Sequence, residues 1–151
     1  MEQPETVKNA ALLWATAVAA GVIETVLAVS AIAKDTGLDA GVWMNVGLRS
    51  VVYIGAAVLI VNLTRGRRWA RVGLAVLLSV FGLASMVVPA AAELREGETL
   101  IAAFGGEGDF AIAFFVVRAL HITAVLIATG LMFAPSANRY FAKRQPKPVS
   151  A

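Results

Sequence analysis

Four long stretches of this chain are almost free of charge, and nothing else in it limits the fold so strongly. They predict helices over 9–33, 41–64, 71–92 and 110–134. Each reaches the ~20 residues needed to cross a ~30 Å hydrocarbon core at ~1.5 Å per residue. Backbone groups in lipid must be satisfied within the segment itself, so stretches of this length are helices, and the alternating pattern of a membrane barrel is absent. The sequence therefore predicts an all-α bundle of four transmembrane helices. It forms a single integral membrane domain over 1–151, with a basic tail over 135–151. Apolar residues make up 59% of the chain and charged residues 15%, which is far from a soluble domain.

Charge placement predicts orientation. Lys8 in the first arm, Arg65, Arg67, Arg68 and Arg71 in the middle loop, and Arg139, Lys143, Arg144 and Lys147 in the tail give one face nine basic residues. The other face has two, Lys34 and Arg95, amid Asp35, Asp39, Glu93, Glu96, Glu98, Glu107 and Asp109. The positive-inside rule then puts both termini and the middle loop in the cytoplasm of a multi-pass plasma-membrane protein. Trp43, Trp69 and the Tyr140-Phe141 pair stand where amphipathic rings favour the headgroup layer. Pro135-Ser136 reads as a stop followed by an N-cap, with a short surface helix over 137–143. The basic tail and middle loop lie where anionic headgroups would meet them. Ala31-Ile32-Ala33 has the form of a signal cleavage site, but the apolar stretch before it is too long and contains Glu24. A retained first helix is expected.

Composition removes several kinds of chemistry. With no cysteine there are no disulfides and no thiol catalysis, and one histidine cannot supply a bis-histidine haem. No cofactor, metal or nucleic-acid partner is implied. The glycines of the 93–109 loop lack the spacing of a calcium or phosphate loop, so a connector is expected, with 100–104 dipping into the interface.

Four ionisable residues interrupt the apolar stretches: Glu24, Arg49, Arg118 and His121. Glu24 precedes Lys34 by ten residues, Arg49 follows Asp39 by ten, and Arg118 and His121 follow Asp109 by nine and twelve. At ~1.5 Å per residue all four lie roughly 15 Å deep, within about one helical turn of each other. Asn45, Arg49 and Tyr53 share one helix face, as do Arg118 and His121. Ala17, Ala20, Gly21 and Ala28 form a small-residue seam beside Glu24. The third helix offers Ser79, Gly82 and Ser85 for packing, with Pro89 bending or ending it.

An unpaired charge at a helix centre costs about 2.5–3.5 kcal/mol, so these groups should face inward and pair. Glu24 is expected within reach of Arg49 or Arg118. Two arginines then share one acid, which leaves a positive excess beside a histidine taken as neutral. Glu24, Asn45, Arg49, Tyr53, Arg118 and His121 thus form a candidate intramembrane site for an anionic lipid or amphiphilic ligand reached from the outer side. The same charges would also suit a non-catalytic accessory subunit paired with another membrane protein. A third role is a small proton- or ion-coupled transporter, which with four helices would act as a homo-oligomer. No nucleophile–base–orienter set is present, so catalysis is not expected.

Two terminal motifs, Pro4-x-Thr6-Val7-x-x-Ala10-x-x-Leu13-Trp14 and Pro135-Ser136-Ala137-Asn138-x-Tyr140-Phe141, resemble those of a family of small, uncharacterised actinobacterial four-helix membrane proteins. The resemblance implies a four-helix plasma-membrane protein and brings no activity with it.

Overall fold

In the computed structural model, which describes residues 2–144, the chain is an up-down-up-down bundle of helices. The four long ones are α1 (Glu5–Asp35), α2 (Ala40–Thr64), α3 (Arg68–Arg95) and α5 (Ala111–Met132), all long and apolar enough to cross a membrane. Two short helices complete it, α4 (Leu100–Gly105) and α6 (Pro135–Lys143). The described ends of the chain and the α2–α3 loop share one end of the bundle, called here the terminal face. The α1–α2 and α3–α5 connections form the opposite face.

The tightest pair is α1 with α5, and the reason is in the sequence. On α1 the buried positions include Val7, Ala10, Trp14, Ala17, Gly21 and Glu24, spaced alternately three and four residues apart. That spacing keeps one narrow seam against a partner helix. On α5, His121, Val125, Ala128 and Met132 follow the same rule. Ala10, Ala17, Gly21, Ala124 and Ala128 let the backbones approach closely, so that dispersion contacts and interhelical polar contacts hold the pair in lipid.

The dry core occupies the terminal half of the bundle. Trp14, Leu63, Leu74, Met132 and Phe141 are its largest fully buried side chains. Here the structure corrects two expectations. Tyr140 and Phe141 are not interface anchors but core residues, 3% and 1% exposed. They share the inner face of α6 with Ala137, at the i, i+3, i+4 spacing of an amphipathic helix. Pro135 is itself the first helical residue after an Ala134 N-cap, so Ser136 caps nothing. Its hydroxyl instead meets Thr6 Oγ1 at 2.9 Å, joining the two terminal motifs. Trp43 and Trp69 are more than half exposed, as anchors require. Lys147 and the rest of the tail beyond Arg144 lie outside the described residues.

Of the two roles expected for Pro89, ending the third long helix is excluded: the helix runs on to Arg95. An apolar backbone in lipid has no other partner for its polar groups, so losing one hydrogen bond at proline does not stop it. Its middle, Ala75–Gly82, is wound as a π-helix. There Ser79 Oγ lies 2.7 Å from Thr129 Oγ1, tying α3 to α5. The 93–109 connection holds the ordered turn α4, whose Thr99 N-cap accepts from the Ala102 amide at 3.2 Å. Gly105 presses against the Ala111 carbonyl, with no room for a side chain.

Candidate functional site: a buried Glu–Arg–His cluster and its cavity

Glu24 stands where the α1 seam continues past the dry core toward the opposite face, and its side chain is 4% exposed. Two residues of α5 meet it. Arg118 Nε lies 3.5 Å from Glu24 Oε2, and His121 Nδ1 lies 3.2 Å from Glu24 Oε1. A carboxylate oxygen accepts here only from the imidazole tautomer or cation that has its proton on Nδ1. Their i, i+3 spacing lets both reach one carboxylate.

Arg118 is held by more than the acid. Its Nη1 donates to the Phe104 carbonyl of α4 at 2.9 Å, and the guanidinium sits 5.6 Å from the Phe114 ring centroid. The short helix α4 therefore positions the arginine that positions Glu24. The same side chain lines a second recess toward the opposite face, with Glu93, Glu98 and Glu107 in its wall.

Across the bundle, α2 supplies Asn45, Arg49 and Tyr53. The Tyr53 hydroxyl donates to the Gly21 carbonyl at 2.7 Å and lies 3.0 Å from Thr25 Oγ1, which bonds the same carbonyl at 2.9 Å. Glycine at position 21 makes room for this contact, because a Cβ there would fall 2.8 Å from Tyr53 Cε1 and displace the ring. Arg49 behaves differently from Arg118. Its Nε donates to Asn45 Oδ1 at 3.0 Å, and among the described residues no carboxylate lies within 4.0 Å of it.

All six residues singled out in the sequence line one cavity of ≈ 350 Å³. Its apolar wall, which sequence reasoning did not find, comes from Leu48 and Val52 of α2 and from Leu78, Phe81 and Met86 of α3. The third helix thus does more than pack. Thr25 and the Phe104 carbonyl were missed as well. Thr25 could have been read from its i, i+4 spacing to Gly21, but a backbone acceptor leaves no signal in the sequence.

The cavity opens sideways. Close packing of α3 on α2 is confined to Arg68–Leu74, next to the tight Arg65–Arg67 connection. Among the described residues no comparable packing joins these two helices nearer the opposite face, and the cavity is lined by both of them there. Leu48 and Phe81, one from each helix, line it while being 65% and 66% exposed, so they mark its mouth.

The chemistry of the site follows from this inventory. Glu24 has two cationic or proton-bearing partners, so it is satisfied. Among the described residues Arg49 has an amide partner and nothing negative. Formally the cavity contains two guanidinium groups and one carboxylate, within a span where an uncompensated charge costs about 2.5–3.5 kcal/mol. Comparison with family models, with curated proteins and with solved structures finds no match for this chain, so its function has to be argued from the chemistry of the site.

Proposed function

We propose that the chain binds the anionic head of a membrane amphiphile in this cavity, with Arg49 as the charge that recognises it. The observation that carries the reading is Arg49 itself: it lines the cavity, its side chain is oriented by Asn45, and it has no acid partner among the described residues. A carboxylate or phosphate between α2 and α3 would supply that partner, and the planar guanidinium favours a two-oxygen anion. The volume lies at the low end of the ~300–1,000 Å³ common for small-molecule sites, which suits a headgroup better than a whole lipid. Leu48 and Phe81 at the mouth suit the apolar remainder, which would stay in the bilayer. The acids Glu93, Glu98 and Glu107 make the axial route unfavourable for an anion, which supports lateral access.

The basic terminal face belongs in the cytoplasm on this reading, and the ligand comes from the outer leaflet of the plasma membrane. Because the chain has no cysteine, single cysteines report orientation cleanly. One at Lys143 is expected to resist an impermeant thiol reagent in intact cells, and one at Glu107 to react. The reverse pattern would invert the orientation and move the site to the inner half.

Access is tested by light. A photoactivatable anionic lipid in the membrane should label peptides containing Leu48 and Phe81 above those containing Leu120, which is 53% exposed on α5. Even labelling of all three contradicts a portal between α2 and α3.

A further inference from the structure

The terminal face has a recess of its own, separate from the cavity above. Arg65, Arg67, Arg68 and Arg144 surround a cavity of ≈ 500 Å³, with Trp69 and Phe141 completing its wall. These four arginines come from two distant parts of the chain, the α2–α3 loop and the end of α6. Specific contacts bring them together. Arg68 Nε donates to the Phe141 carbonyl at 3.2 Å, and Arg144 Nη1 donates to the Arg65 carbonyl at 3.2 Å. Arg144 also lies 5.2 Å from the Tyr140 ring centroid. Gly66 makes the close approach possible: its φ is +78°, and a Cβ there would fall 2.7 Å from Arg144 Cδ. Tyr140, 3% exposed, has a hydroxyl without a hydrogen-bond partner among the described residues.

Electrostatics makes this arrangement unusual. Among the described residues, none of the four guanidinium groups has a carboxylate within 4.0 Å. Like charges drawn together by backbone carbonyls repel one another, and an anion between them reverses the sign of that interaction. The first turn of α3 adds to the attraction. Its N-cap, Arg67, provides no side-chain acceptor, so the partial positive end of a long helix faces the same loop. Trp69 is 52% exposed one residue into α3, the position of a headgroup-level ring.

We propose that this recess binds the phosphate group of an anionic phospholipid from the leaflet on the terminal side. The phosphate fits the planar forks of the arginines, and the recess at the end of the apolar spans places it at headgroup depth. This site depends neither on the cavity ligand nor on which side is cytoplasmic.

The test uses the full chain in an Arg49→Met background, which removes the cavity's own anion contact. The site variant adds Arg65→Gln and Arg67→Gln, whose side chains make no hydrogen bonds among the described residues. A charge-matched control adds Arg139→Gln and Lys143→Gln on the exposed side of α6. Native mass spectrometry then measures retention of added phosphatidylglycerol and phosphatidylcholine. Phosphatidylglycerol retention in the site variant should fall about ten-fold per arginine, as expected for losing a hydrogen bond to a charged group. The control should stay within about two-fold of its parent. Equal losses in both variants, or none in either, overturn the site. Phosphatidylcholine retained as well as phosphatidylglycerol overturns its selectivity for an anionic lipid. Displacement of the lipid by millimolar pyrophosphate would assign the recess to a soluble phosphate and overturn the lipid assignment.

Discussion

Replacing Arg118 by methionine is expected to destabilise the bundle by about 3 kcal/mol, because it leaves a buried acid with a histidine as its one remaining partner. The figure is set by Glu24, whose side chain is 4% exposed against 30% for Arg118. Methionine keeps much of the volume, so the loss is electrostatic rather than a cavity effect. The Phe104 carbonyl loses its donor in the same step, loosening α4. For a chain of this size the change is a fall of roughly 10 °C in thermal midpoint. Measured in one detergent beside Glu24→Gln and the double variant, it forms a thermodynamic cycle. The double variant should recover much of the loss, because the carboxylate that needed the arginine has gone. An Arg118→Met protein that melts with the wild type would show that Glu24 draws nothing from this pair.

The helices themselves were plain in the sequence, because a charge-free stretch of bilayer length has few alternatives. Depth arithmetic also brought Glu24, Arg118 and His121 together correctly, since rise per residue along a spanning helix is nearly fixed. The three-four spacing from Val7 to Glu24 explains why it worked: the acid continues the seam that buries Trp14 and Ala17. Faces and local windings were less legible. Residue type alone puts Tyr140 and Phe141 at the interface, whereas their spacing with Ala137 turns them inward. The π-helical turn at Ala75–Gly82 shifts which side of α3 looks into the bundle, and no residue in AVLLSVFG announces it. The lateral mouth was equally hidden, because it depends on α2 and α3 parting beyond Leu74. Arg49 was equivalent to Arg118 as a partner for Glu24 in the sequence. In the structure α5 packs closest on α1, and Arg118 takes the acid.

That asymmetry gives the second large effect. Arg49→Met is expected to leave thermal stability unchanged or slightly raised, since no acid loses a partner. Ligand retention should fall about 10- to 100-fold, corresponding to the about 1.5–3 kcal/mol of hydrogen bonds to a charged group. Arg49→Lys should recover only part of it, because an ammonium keeps the charge and loses the fork. The two arginines are thus expected to separate, Arg118 by stability and Arg49 by binding.

The most direct measurement is the amount of anionic amphiphile that stays with the protein after gentle extraction, counted per chain by native mass spectrometry in wild type and Arg49→Met, with melting recorded on the same samples. The account predicts a bound anionic species in the wild type that is lost from Arg49→Met while the melting temperature holds. Equal occupancy in both proteins, or an Arg49→Met bundle that falls apart, would contradict it and return the cluster to a purely structural or accessory role.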